Sequence, residues 1–329
     1  NWIDDETFLQ ELEYQAGWLG KATSYLMSHY EWDLYFSQWH GPNHAQHTFW
    51  GGIDPLSPWY KESNAPRYWG CFRRFYGAAD KMIGDIIEHA DDETLVIVTA
   101  DHGHVPLAYG AAMTANALIK AELLAYKKDV EGRMIVDWSR TKAHPINSVH
   151  IYVNVKGRDP DGIVEPGKEY DDVCNKVISA LYGVRDPEGN CPYAFAMKKD
   201  DAEMVGLYGD RVGDVVYGLR AGYISQLERS DDLELFKVMK GAVSVTDDWA
   251  ERAGPLPANT SIHGVTIPSA RLGLGSIRVP LVMRGPGVRK GYKMRGHFRL
   301  IDIAPTVSHI LDMPAPAQCE GSVILEALS

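Results

Sequence analysis

No run of roughly 18 uninterrupted apolar residues occurs in the sequence, so no membrane-spanning helix is expected. Cysteine is scarce. The four cysteines (Cys71, Cys174, Cys191 and Cys319) are widely spaced and form no Cys-x-x-Cys pair, which argues against a thiolate zinc site. Cys174 and Cys191 suit a disulfide in an oxidising compartment and equally suit buried thiols. Basic residues are outnumbered, with 33 Lys and Arg against 44 Asp and Glu and a formal net charge of −11. A nucleic-acid scaffold needs a basic footprint and is therefore excluded. A phosphate-ester substrate is not, because bound divalent metals reverse the local field. Internal repeats, low-complexity tracts and a signal-peptide pattern are also missing. A soluble protein is expected, the compartment staying open with cytoplasmic as the nearer reading.

What remains is an ordinary globular composition, 45% hydrophobic and 23% charged over 329 residues, enough to bury a sizeable core. Residues 5–29 read as a helix capped by Asp4 or Asp5, with Phe8, Leu9, Leu12, Leu19, Tyr25 and Leu26 near helical spacing. Trp32 to Trp39 reads as a strand, and Pro66 to Ala90 as a long helix with proline in its first turn. Leu95 to Thr99 has the length and composition of a buried strand. This alternation predicts an α/β fold with a mostly parallel central sheet flanked by helices. Ligands of such sheets sit beyond the carboxyl ends of the strands.

Further along, 116–128 and 168–182 read as helices. Arg133–Trp138, Ser148–Val155, Gly213–Leu219 and Arg278–Arg284 read as strands. Residues 183–212 give few signals. Residues 225–261 are mixed and polar, an excursion or cap-like segment, and include an Asn259-Thr-Ser triplet that carries no weight. Asp302 to Leu311 reads as a capped C-terminal helix.

Three polar clusters interrupt this pattern. The first is His40-Gly-Pro-Asn-His-Ala-Gln-His47. Asn43 and His47 are four residues apart and share one side of a helical backbone. His40, His44 and His47 also fall at helical spacing, so a three-histidine site is conceivable, as is a solvated loop. The second cluster, Asp101-His102-Gly103-His104, ends the 95–99 strand. A hard carboxylate and a borderline imidazole at a strand tip suit zinc, and they equally suit an ordinary turn. The third is His263-Gly264, which alone says little.

Their order is more informative than any one of them. Asn43-x-x-x-His47, Asp101-His102-Gly103, His263-Gly264, a strand ending in Gly285-Pro-Gly287 and an Ile301-Asp-Ile-Ala-Pro-Thr306 helix start follow one another. This series resembles the alkaline phosphatase superfamily, and most closely its type I phosphodiesterase/nucleotide pyrophosphatase branch. His47-Thr-Phe-Trp50 and Tyr152-Val-Asn-Val-Lys-Gly-Arg158 strengthen the resemblance, which runs from residue 32 to about 311. It implies two divalent metal ions, zinc above all, at the carboxyl end of a central sheet. Carried over by position, His47 and His263 would hold the first ion, and Asp101 and His102 the second. Asn43 stands where the family has Asp; an amide oxygen still binds a hard cation but brings no charge. His40 or His44 is expected to compensate, or the site to weaken. His104 is additional, a group behind the ligands or on the substrate side.

The family's nucleophile, a Thr or Ser, and its remaining Asp ligand lie N-terminal to this series of motifs. The chain opens at Asn1 rather than Met and enters a helix at once. It is therefore read as one alkaline phosphatase-like domain lacking its N-terminal part, which would be its partner. The resemblance implies hydrolysis of a small-molecule phosphate ester, with a metal-activated hydroxyl as nucleophile. Two alternatives stay open: a phosphomonoesterase, phosphonate hydrolase or sulfatase on the same fold, and a catalytically silent binding or assembly module. Loops 48–66, 105–115 and 225–261 would select the substrate. Trp50, Trp59 and Tyr60 would stack a planar leaving group or simply pack.

Overall fold

The computed structural model describes residues 3–146, 149–238, 260–264, 266–268, 272–273 and 275–329. The described helices are α1 (Asp5–His29), α2 (Gly41–Phe49), α3 (Ala65–Ile87), α4 (Thr114–Lys120), α5 (Lys168–Tyr182) and α6 (Ile303–Ile310). The strands run from β1 (Val96–Thr99), β2 (Val105–Pro106), β3 (Gly110–Met113), β4 (Tyr126–Lys128) and β5 (Met134–Val136) to β6 (Ala143–Ile146) and β7 (His150–Val153). They continue with β8 (Tyr193–Lys198), β9 (Val215–Arg220), β10 (Tyr223–Gln226), β11 (Phe236–Val238), β12 (Ser261–Ile262), β13 (Thr266–Ile267) and β14 (Leu281–Arg284). The fold is α/β. Two compact units share the chain: Asn1–Asp5, Asn43–Arg73 and Gly103–Arg278 form the first, and Glu6–Pro42, Arg74–His102 and Val279–Ser329 the second.

The first unit is built on a five-stranded sheet of order β13-β9-β7-β6, with β8 also paired along β9. Helix α5 lays Val173, Cys174, Val177 and Leu181 against it, a stripe at helical spacing in which every residue is buried. Such side chains contribute about 1.5–3 kcal/mol each on burial. Ile151 and Val153 of β7 and Val215 and Tyr217 of β9 complete this core. Asp214, just before β9, is buried with them. It accepts hydrogen bonds from the Val153 amide at 2.7 Å, the Tyr170 hydroxyl at 3.0 Å and both terminal nitrogens of Arg158 at 2.7 and 2.8 Å. A buried carboxylate persists only when so fully paired.

A three-stranded sheet, β10-β3-β11, and a two-stranded ladder, β12-β2, belong to the same unit. The ladder is short but decisive. Ser261 pairs with Pro106 and Ile262 with Val105, which sets the next residues outward, His263 and His104, opposite each other.

In the second unit α1 buries Leu9, Leu12, Ala16 and Thr23 along one face. A Cβ at Gly20 would lie 2.8 Å from the Asp85 carboxylate, so glycine permits this close approach of α1 to α3. Arg74 adds an ion pair with Glu13 at 2.8 Å. Strand β1 pairs antiparallel with β14, Val96 opposite Arg284. Asp302 precedes α6 and accepts from the backbone amides of Arg299 at 2.7 Å and Ser322 at 2.9 Å. Among the described residues no helix is long and apolar enough to cross a membrane.

Helices α1, α3 and α5 follow their sequence patterns closely, and four expectations need correction. First, the sheets differ from the mostly parallel arrangement expected. Among the described strands β3/β10 and β9/β13 pair in parallel, and the other pairs are antiparallel. For β6 and β7 the reason is connection length: a hairpin-length link is too short for the crossover that a parallel pair needs. Second, Trp32–Trp39 forms no strand, because it joins no ladder, and Leu34 and Phe36 remain 68% and 86% exposed. Third, the helix expected over 116–128 ends at Lys120. Glu122 takes a left-handed φ of 56°, and 126–128 enters a hairpin with β5 instead. Fourth, the weakly patterned 183–212 contains strand β8 and a 3-10 segment, Lys199–Val205. Of the 225–261 excursion, β11 pairs with β3, whereas 239–259, Asn259 included, lie outside the described residues.

Candidate metal centre

Helix α2 ends two turns after a Gly-Pro start, and its 3.6-residue period places Asn43 and His47 on one face. His40 and His44 are exposed and stand outside the cluster formed below. Helical spacing alone therefore does not gather three histidines here; the other two come from distant segments.

The first unit brings His47, His104 and His263 together, one ring nitrogen of each lying within 4.8 Å of the others. Ring centroids are 4.6 Å apart for His47 and His104, 5.0 Å for His47 and His263, and 5.1 Å for His104 and His263. His104 is buried and the other two half-buried. Among the described residues this is the group of three or more His, Cys, Asp or Glu side chains close enough to share an ion.

Thr260 and Ser261 assemble the cluster. The Thr260 amide donates to the His47 carbonyl at 2.7 Å, and its hydroxyl donates to the carbonyls of His47 and Thr48 at 2.9 and 3.1 Å. That hydroxyl also accepts from the Gly51 amide at 2.8 Å. A Cβ at Gly51 would sit 2.6 Å from the Thr260 Cβ, so this contact requires glycine. Thr260 thereby fastens the end of α2 to β12, and Leu107 N–H donates to the Thr260 carbonyl at 3.1 Å on the β2 side.

Ser261 touches two of the three rings. His47 Nδ1–H donates to the Ser261 carbonyl at 2.8 Å, and His104 Nδ1 meets the Ser261 hydroxyl at 3.0 Å. His104 Nε2 lies 2.9 Å from Asn43 Oδ1. Trp50 stacks over His104 with ring centroids 6.3 Å apart and packs edgewise on Phe72. Gly103 reaches Ser276 by a 2.7 Å amide bond, and a Cβ there would strike the Arg278 carbonyl at 2.7 Å. The Ser276 hydroxyl donates to the Gly264 carbonyl at 2.6 Å, fixing a turn whose glycine has φ +114°.

Three imidazole nitrogens suit a borderline divalent ion such as zinc. The donor set fits the metal that the motif resemblance implies.

Asp101 and His102 belong to the second unit, at the carboxyl end of β1. Their side chains approach to 3.6 Å, and Asp101 Oδ1 accepts from the His102 amide at 3.1 Å. Asp101 is mostly exposed, and the His102 side chain is 21% exposed. His104 is the residue that sequence reasoning keeps outside the ligand set. The signal that finds it is the β2/β12 register, which no local pattern reveals. Cys174 and Cys191 are both thiols rather than a disulfide, and burial pushes the Cys174 thiol up to about 11.

Known proteins share parts of this chain. Over 53 residues it is 42% identical to the putative extracellular sulfatase Sulf-1 homolog of Caenorhabditis elegans, covering 16% of this chain and 8% of that protein. Phosphonoacetate hydrolase from Sinorhizobium meliloti 1021, solved with phosphonoformate, aligns at a TM-score of 0.45 and 13% identity. That alignment covers 87% of this chain and 54% of that one. Murine ectonucleotide pyrophosphatase / phosphodiesterase 5 aligns at 0.48 and 16% identity, covering 94% and 64%. The chain thus spans less than two thirds of each of these proteins. Over residues 1–245 it matches the family described as type I phosphodiesterase / nucleotide pyrophosphatase, and that span takes in the first two polar clusters. The match covers most of the chain, which is a member of the type I phosphodiesterase / nucleotide pyrophosphatase family.

Proposed function

We propose that the protein is a metal-dependent hydrolase of phosphate esters, acting first on phosphodiesters or nucleotide pyrophosphates. The observation that carries this reading is the convergence of His47 and His263 from distant segments in a member of this family. In the proposal His47 and His263 ligate one divalent ion, with Asn43 beside them, and Asp101 and His102 ligate a second. Zinc fits both sets, since imidazole and carboxylate are its ordinary donors. When bound, such a pair of ions lowers the pKa of a hydroxyl nucleophile and neutralises charge gathering at phosphorus.

The chain's own residues hold and orient. The Ser261 carbonyl fixes the His47 ring, Thr260 holds the His47 backbone carbonyl, and the Ser276 bond to Gly264 holds the turn after His263. The family's Thr or Ser nucleophile corresponds to none of the ordered motifs of this chain. With a net charge of −11, an anionic ester would be drawn in only where cations reverse the local field.

The test is hydrolysis of bis-(p-nitrophenyl) phosphate by the native full-length polypeptide, before and after chelation and with zinc restored. Turnover that disappears with chelation and returns with zinc is expected. Persistent turnover in chelator, or none in a zinc-loaded preparation, contradicts the reading. Parallel assays on p-nitrophenyl phosphate and p-nitrophenyl sulfate separate the second reading, a monoesterase or sulfatase, which the 53-residue match to a sulfatase homolog favours.

A further inference from the structure

Ser261 decides which nitrogen of His104 faces the cluster and Asn43. The Ser261 hydroxyl has one proton, and it donates that proton to the Gln46 carbonyl at 2.9 Å. Toward His104 the same oxygen accepts, so Nδ1 of His104 carries the hydrogen of that 3.0 Å bond. In the neutral ring Nε2 then carries the lone pair. That lone pair faces the Asn43 side-chain amide, 2.9 Å away: the NH2 end of the amide donates to it, and the oxygen end shares a cation with it. The second arrangement is the one that suits a ring standing in a three-imidazole cluster.

The same serine imposes the matching tautomer on His47. A carbonyl oxygen only accepts, so the 2.8 Å contact to Ser261 O places the hydrogen on His47 Nδ1 and the lone pair on Nε2. One residue therefore orients two rings with the same nitrogen turned to the cluster. Holding Nδ1–H by an acceptor while Nε2 meets an ion is how protein sites fix ligand histidines.

We infer that His104 is a ligand of the ion held by His47 and His263, that the Asn43 amide oxygen shares this ion, and that Ser261 is the positioning residue. This deepens the metal-dependent reading above and rests on it. The donor set would then hold no carboxylate. His104 adds a neutral donor beside the uncharged amide of Asn43, while His40 and His44 are exposed and stand outside the cluster. Three imidazoles and an amide favour zinc, cobalt, nickel or copper over magnesium and calcium, which demand oxygen donors.

The test is a cobalt(II) titration of the 329-residue chain, followed by the visible ligand-field absorption. Wild type, His104→Phe, Ser261→Ala and His44→Ala are compared, with thermal melting as a check of folding. The wild-type spectrum is expected to saturate, to persist in about a thousandfold excess of magnesium, and to be unchanged in His44→Ala. Affinity should fall by more than about 100-fold in His104→Phe and about 10–100-fold in Ser261→Ala. Wild-type affinity in a folded His104→Phe variant overturns the inference and leaves the metal-dependent reading standing. No cobalt binding by wild type overturns both. Should His104→Phe not fold, nitrogen NMR of wild-type imidazoles decides: a zinc-induced shift of His104 Nε2 supports the inference, and an unmoved resonance refutes it.

Discussion

His104 and His263 stand opposite each other across a two-residue β ladder, their ring centroids 5.1 Å apart. They are far apart in sequence, and the register of β2 on β12 is what unites them. The backbone around that ladder is tightly constrained, and its contacts set what each substitution should do.

Gly103→Ala places a methyl 2.7 Å from the Arg278 carbonyl, a backbone atom that cannot swing aside. The strand must shift, and His104 with it. A loss of about 1–3 kcal/mol is expected, read as a lower urea midpoint, together with weaker zinc retention. The same substitution at Gly17, where no atom lies within 4 Å of the new Cβ, should leave zinc retention unchanged.

Thr260→Val keeps the shape of a buried side chain and deletes its hydroxyl. The Gly51 amide then loses its 2.8 Å acceptor. Leaving a buried donor unsatisfied costs about 1–3 kcal/mol. Thr260→Ser should recover most of that stability in equilibrium denaturation, because the hydroxyl is restored.

Asp214→Ala removes the buried acceptor of the Val153 amide and the Tyr170 hydroxyl, and leaves the half-exposed Arg158 guanidinium with Asp159 as its ion-pair partner. Each buried donor left unsatisfied costs about 1–3 kcal/mol. A chain that unfolds at much lower denaturant is expected, whatever the metal content.

Burial lowers the pKa of His144 and of His150 from the ordinary value of 6.5. His150 Nδ1 also accepts the Gly213 amide at 3.2 Å, a bond that only the unprotonated nitrogen makes. Between the lowered folded value and 6.5 the unfolded chain binds more protons than the folded one. Stability from these two groups is thus present above about pH 6.5 and lost as pH falls through the folded values. Urea midpoints measured from roughly pH 7.5 down to about 5 should decline, and His144→Phe should flatten the decline.

The fold and the site are legible in the sequence where periodicity is local. The α5 stripe of Val173, Val177 and Leu181 and the helical spacing of Asn43 and His47 are written within a few turns of chain. The strand reading of Trp32–Trp39 fails because composition shows only that a segment suits a ladder, not that a neighbour exists to complete it. His104 reads as a supporting group for the same reason. Its place in the cluster depends on a pairing with residues 261 and 262, and no spacing along the chain encodes that register. Conversely, His40 and His44 share the helical period with His47, yet both are turned to solvent.

The central claim is that His47, His104 and His263 hold a divalent ion, and anomalous diffraction at the zinc absorption edge tests it most directly. Zinc-soaked crystals are expected to show a peak within coordinating distance of all three imidazoles. Zinc bound elsewhere in the chain, with no peak among these rings, would contradict the account.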